Sequence, residues 1–201
     1  VAATTLLGYV AYGLGTASIA GMLTGVLLAL FAVVLGGYGW FALLVTFFGL
    51  GALASKYRYD AKADRGIAEA NDGARGSGNV LANSAVALAA VVCYAATMGV
   101  DATLAAAFRL AFAGSVATAL ADTFSSEFGG LFDNPRLITT LGRVEPRTDG
   151  AVTWQGELFG LLGASLIAGL AALGFSLDAP TTGLVVLGGI VGMTTDSLLG
   201  A

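Results

Sequence analysis

Residues 80–121 read VLANSAVALAAVVCYAATMGVDATLAAAFRLAFAGSVATALA. Two apolar runs, Val80–Met98 and Ala102–Ala121, flank the short break Gly99-Val100-Asp101. Each approaches the roughly 20 residues that a helix needs to cross the hydrocarbon core of a bilayer. A chain that crosses twice returns to the side it left, so the segments before and after this pair share one compartment. Eight of the nine Lys and Arg residues lie in those segments, within Lys56–Arg75 and Arg136–Arg147. Positive charge is retained preferentially in the cytoplasm. The pattern predicts a polytopic membrane protein with a charged cytoplasmic face.

Composition agrees. The chain has 201 residues, 57% hydrophobic and 11% charged, with a mean hydropathy of +0.85; soluble domains run near ~25% charged. That length holds about six to seven spans, expected as one transmembrane domain over residues 1–201. Backbone groups in lipid must be satisfied within helices or a closed barrel, and no ten-residue alternation of a barrel strand occurs, so the predicted class is an all-α, Gly-rich bundle. The net charge of −4 is spread over loops and argues against a nucleic-acid partner. Cys93 is alone and cannot form an internal disulfide. The absence of His removes the usual general base and most zinc sites. Any catalysis must use carboxylates, Lys, Arg and hydroxyls. Val1–Ala20 lacks a basic n-region, so no secretory signal is expected there.

The spans are read as Thr4–Ala17, Gly21–Leu35, Tyr38–Ala54, Val80–Met98, Ala102–Ala121 running on to Gly129-Gly130, Gly156–Phe175 and Thr181–Leu199. Charged loops 55–78 and 122–155 then share a side, and Asp196 ends beside them. Arg109 lies toward the far end and is expected to snorkel to the outer interface. Thirty glycines suit close helix packing in lipid, within or between subunits, so a homo-oligomer is compatible with the chain. A faint repeat relates Gly15-x-x-Ser18-x-x-Gly21-x-x-x-Gly25 to Gly150-x-x-Thr153-x-x-Gly156-x-x-x-Gly160.

Three polar constellations could carry chemistry. Arg75-Gly76-Ser77-Gly78-Asn79 opens a span, where Gly backbone and a helix N-terminus favour anions. Arg75, Asn79 and Asn83 fall at i, i+4, i+8, one helix face. The stretch reads equally as a flexible loop with a Ser or Asn cap. Next, Ser115, Thr118, Asp122, Ser125, Ser126 and Gly129 form a polar stripe, with Glu127 beside it. Carboxylates flanked by hydroxyls suit Mg²⁺, which keeps waters and phosphate oxygens as ligands; ordinary solvated residues at a helix end are the plain alternative. Last, Arg136, Arg143 and Arg147 suit bidentate phosphate binding or contact with anionic lipid headgroups, and Asp196 is a candidate further metal ligand. Carboxylates, hydroxyls and arginines at one mouth of a bundle suit phosphoryl transfer, where positioning and charge neutralisation dominate.

The ordered blocks Arg75-Gly76-Ser77-Gly78-Asn79-Val80, Ala121-Asp122-Thr123-Phe124-Ser125-Ser126-Glu127-Phe128-Gly129, Pro135-Arg136-Leu137-Ile138-Thr139, Val144-Glu145-Pro146-Arg147-Thr148-Asp149-Gly150 and Asp196-Ser197-Leu198-Leu199-Gly200-Ala201 resemble the integral-membrane family of plastid phytyl-phosphate kinase and eukaryotic transmembrane protein nineteen. The resemblance covers essentially the whole chain. It implies phosphorylation of an isoprenoid monophosphate, phytyl or geranylgeranyl, to its diphosphate, with CTP as donor and Mg²⁺ as cofactor, at a prokaryotic plasma membrane. Carried onto this chain, it implies a site of Asp122, Glu127, Arg136 and Arg147 as catalytic residues. Arg75, Ser77, Gly78, Asn79, Asn83, Ser125, Ser126, Thr139 and Arg143 would bind phosphates or nucleotide, and Asp122, Glu127 and Asp196 would hold metal. Relatives commonly continue past Ala201, so a further helix is expected there. Two other classes fit parts of the pattern. A lipid or small-anion transporter would also use broken Gly-rich helices, although the charges here cluster on one side and not at the midplane. A CDP-alcohol phosphotransferase would need an Asp-rich motif that only Asp72-Gly73-Ala74-Arg75 echoes.

Overall fold

A computed structural model describes residues 1–69, 71–146 and 148–201. Its helices are α1 Ala2–Gly13, α2 Ile19–Phe31, α3 Tyr38–Lys56, α4 Tyr59–Asp64, α5 Ser77–Thr97, α6 Ala102–Gly129, α7 Trp154–Phe175 and α8 Ala179–Gly200. A π turn, Ala32–Gly36, prolongs α2, and two short strands, β1 Arg136–Leu137 and β2 Ala151–Val152, pair antiparallel. Among the described residues six helices are long and apolar enough to cross a membrane: α2 with its π turn, α3, α5, α6, α7 and α8. The stretch expected as a first span is the 12-residue α1, about 18 Å long against a core of ~30 Å. It ends at Gly13, ahead of Gly15 at φ +64°, and lies along α2. The all-α membrane bundle expected from the sequence is the architecture observed.

Helix α6 is the axis, packed on α3, α5, α7 and α8. It buries Phe112, Ala113, Val116, Ala117, Leu120 and Ala121, beside Leu43 and Phe47 of α3 and Ile167 and Ala168 of α7. Small residues set how near its neighbours come. A Cβ on Gly163 would lie 2.9 Å from the Leu120 carbonyl oxygen, and one on Gly189 would lie 2.8 Å from the Ala164 Cβ. Dispersion contacts and close backbone approach hold such interfaces together in lipid, where apolar burial alone gives no drive. With 28 residues, α6 is about 42 Å long and outruns the ~30 Å core by roughly eight residues. An excess of that length matches the polar segment from Asp122 to Gly129.

The turns at the far end are capped by acids: Asp101 accepts from the Thr103 and Leu104 amides, and Asp178 from the Thr181 amide, all at 2.9 Å. Arg109 is half-buried, its guanidinium 5.8 Å from the Phe175 ring centroid. At the other end the two charged loops meet. Arg65 Nη1 lies 3.1 Å from Asp133 Oδ1, and Gly130 packs on Ile67.

The faint repeat has a structural counterpart. Gly15 and Gly150 both take positive φ, at +64° and +74°. Ser18 and Thr153 cap α2 and α7 by accepting from the amides three residues on, Gly21 and Gly156, each at 3.1 Å. A Cβ on either of those glycines would collide with the backbone of a neighbouring segment, Arg75 or Ser125.

Candidate functional site

The end of α6 that outruns the apolar core borders a cavity of about 800 Å³. Asp122, Ser125, Ser126 and Gly129 line it from α6, at the spacing that places them on one helix face. Asp196 and Ser197 line it from α8, Asp149, Gly150 and Thr153 from the second charged loop, and Glu69 from the first. The second loop is seated on the end of α8 through Gly150, where a Cβ would lie 2.7 Å from the Ser197 carbonyl oxygen. Ser126 donates its hydroxyl back to the Asp122 carbonyl at 2.9 Å, which leaves Ser125 the freer hydroxyl of the pair. Asp122 is half-buried and has Asp196 and Glu157 as charged neighbours.

The lining holds the carboxylates of Glu69, Asp122, Asp149 and Asp196, and no Lys or Arg among the described residues. Such a cavity repels a bare anion and favours a cation, or an anion that arrives with one. Among the described residues no group of three or more His, Cys, Asp or Glu could hold a metal ion by itself. Mg²⁺ seldom uses such a cage; one or two carboxylates, waters and substrate phosphates suffice. Asp122 and Asp196 meet that requirement.

The expected three-carboxylate set with Glu127 does not form. Glu127 is five residues from Asp122, about 140° around the helix, and faces α3. Its Oε1 accepts from the Ser55 hydroxyl at 2.6 Å, and its Oε2 pairs with Lys62 Nζ at 2.5 Å. Lys62 also donates to the Ala54 and Ser55 carbonyls at 2.9 and 2.8 Å, satisfying the end of α3, and is 1% exposed. Lys62 was not singled out from the sequence, because a six-residue α4 gives too little periodicity to place it.

The remaining candidates are dispersed. Arg136 and Arg143 form an antiparallel bridge, with Arg136 Nη1 donating to the Leu141 carbonyl at 2.6 Å. Arg136, Thr139 and Arg143 are exposed, and none lines the cavity. Arg147 lies outside the described residues. Helix α5 starts at Ser77 after an extended Gly76, and its first turn has no side-chain cap. Arg75 therefore precedes the helix, and the expected face shared with Asn79 and Asn83 is not formed. Asn79 Nδ2 donates to Glu69 Oε1 at 3.2 Å, Asn83 Nδ2 donates to the Asn79 carbonyl at 2.9 Å, and Gly78 is exposed.

Arg75 is pinned by its backbone: its amide donates to the Thr16 carbonyl at 3.0 Å and its carbonyl accepts from the Ser18 amide at 3.1 Å. The side chain is 6% exposed, with Cζ 5.4 Å from the Phe47 ring centroid. Nη1 is buried with no hydrogen-bond partner among the described residues. Burial pushes this guanidinium below its ordinary range, while Glu127 and Glu69 pull the other way.

Comparison with known proteins gives a consistent picture. The family described as "Integral membrane protein DUF92" matches residues 2–201. The uncharacterized membrane protein MJ0933 of Methanocaldococcus jannaschii is 39% identical over 166 residues, 82% of this chain and 65% of that protein. Protein VTE6, chloroplastic, of Arabidopsis thaliana is 30% identical over 166 residues, 82% of this chain and 50% of its own length. The uncharacterized membrane protein sll0875 of Synechocystis is 35% identical over 158 residues, 78% and 57% of the respective chains. The chain thus spans about half to two thirds of the length of these relatives. No solved structure matches it.

Proposed function

Because the chain belongs to the integral membrane protein family DUF92, we propose that it is a membrane-embedded kinase that converts an isoprenoid monophosphate to its diphosphate, with CTP as donor. The family resemblance drawn from the motifs is borne out by the match to VTE6; the reaction itself is our reading. The observation that carries it is the acid-rich cavity at the end of α6, where Asp122 and Asp196 converge from two helices. A nucleoside triphosphate enters such a cavity only with its charge offset.

Asp122 and Asp196 would hold Mg²⁺, with Glu127 left in its pair with Lys62. When bound, that ion supplies charge neutralisation between the phosphates and orientation of the transferred group. Ser125 would donate its hydroxyl to a phosphate oxygen. Arg136 and Arg143 of the second loop would meet the nucleotide, where guanidinium forks hold phosphates bidentately; Arg147, outside the described residues, stays a candidate for the same role by its sequence motif alone. An ionised oxygen of the lipid phosphate forms the new bond to the γ-phosphorus as the bond to the β-phosphate oxygen breaks and CDP leaves. The acceptor is already a nucleophile at neutral pH, so a chain with no His can perform the step. Lys and Arg concentrated at this end favour a cytoplasmic orientation.

Asp196 gives the test. In Asp196→Asn the Mg²⁺ concentration for half-maximal turnover is expected to rise at least about tenfold, the lower end of what altered metal surroundings cost. Magnesium titrations of turnover with geranylgeranyl monophosphate and CTP measure it. An unchanged magnesium dependence would remove Asp196 from the site.

A further inference from the structure

Arg109 is the one Lys or Arg that stands outside both charged stretches. It lies inside α6, about 10 Å along the helix from Ala102, on the face that buries Ala105, Phe112 and Val116. Its head sits at the end of the bundle opposite the charged loops. Cζ is 5.8 Å from the ring centroid of Phe175, the last residue of α7. The Phe175 ring in turn lies 5.5 Å from that of Trp40, in the first turn of α3. Tyr38, which opens α3, is 84% exposed, at the level where Tyr and Trp gather beside lipid headgroups.

The protein does not answer this charge. Nε is buried without a hydrogen-bond partner, whereas Nη1 and Nη2 keep access to the surface. Among the described residues no ion pair includes Arg109. The acids at this end, Asp101 and Asp178, are exposed and cap α6 and α8. The Phe175 ring offers a cation–π contact, which supplies no counter-charge. An ionisable side chain at membrane depth is costly without a partner, and the surface around it is apolar: Leu104 of α6 and Leu173 of α7 are exposed.

We propose that Arg109 binds the phosphate of an anionic phospholipid in the leaflet opposite the charged loops. A guanidinium takes a phosphodiester bidentately, and the two terminal nitrogens left accessible are a pair that can do so. A lipid delivers its phosphate at the ends of the spans and lays its acyl chains along their apolar faces; a phosphate ion from water gains no such contact. A choline headgroup carries its own cation, so a headgroup with net negative charge is the better partner. This site is independent of the kinase reading.

Thermal unfolding of the full-length protein in a neutral detergent tests it, with phosphatidylglycerol, phosphatidylcholine or inorganic phosphate added. In detergent alone Arg109→Gln is expected to unfold at or above the wild-type midpoint, because the charge it removes has no partner in the protein. Phosphatidylglycerol should raise the wild-type midpoint by about 4 °C or more and that of Arg109→Gln by clearly less. Phosphatidylcholine and inorganic phosphate should give the wild type little of this gain. An equal gain in Arg109→Gln would overturn the proposal, since the lipid would then act elsewhere, as at the charged loops. An equal gain from inorganic phosphate would make Arg109 a site for a free anion, and an equal gain from phosphatidylcholine would end the anionic selectivity. A lower midpoint for Arg109→Gln in detergent alone would also overturn it, because the guanidinium would then have its partner within the protein.

Discussion

Asp122→Asn is expected to abolish phosphoryl transfer, by about 10³-fold or more, the scale seen when a preorganised electrostatic contact to a transition state is removed. Asn keeps the volume and the helix and deletes only the charge. No described residue donates a hydrogen bond to the Asp122 carboxylate, and the side chain is half-buried against the cavity, so the fold loses little. The measurement is turnover beside the thermal unfolding midpoint of the same preparation. Loss of activity with an unchanged midpoint places Asp122 in the chemistry. Near-normal turnover would take it out of the site.

The second large effect is on stability. Lys62→Met strands the Glu127 carboxylate and frees two carbonyls at the end of α3. Breaking a buried ion pair by removing one partner costs about 3–5 kcal/mol. For a chain of this size that corresponds to roughly 10 °C in unfolding midpoint. Lys62→Met with Glu127→Gln should recover much of the loss, because the stranded charge is gone. If Lys62→Met unfolds at the wild-type temperature, the Lys62–Glu127–Ser55 cluster does not hold the first charged loop to α3 and α6. Glu127→Gln alone should likewise register first in stability, in contrast to Asp122→Asn.

These two residues also show how far the sequence could be read. Both lie in one contiguous block, Asp122 to Glu127, and its compactness in sequence suggested one site. Helical rotation separates them: a five-residue step turns Glu127 toward Ser55 and Lys62 while Asp122 stays on the stripe with Ser125, Ser126 and Gly129. The stripe was legible because its 3.6-residue period survives burial. Lys62 was not, because its role depends on a tertiary approach that no local spacing encodes. Long spans were placed to within two or three residues, α5 as Val80–Met98 against Ser77–Thr97, since twenty apolar residues leave little choice in lipid. Gly15 and the start of α5 were harder. A positive φ at Gly15 separates α1 from α2, and an extended Gly76 takes Arg75 off the helix, breaking the periodicity that had joined it to Asn79 and Asn83.

The most direct measurement of the central claim follows the γ-phosphate itself. Full-length protein would be supplied with γ-labelled CTP, Mg²⁺ and geranylgeranyl monophosphate, and the lipid and nucleotide products separated. The account predicts label in geranylgeranyl diphosphate, with CDP formed in equal amount and nothing formed without Mg²⁺. Folded, full-length protein that leaves all label in CTP, or that releases CMP in place of CDP, would contradict it.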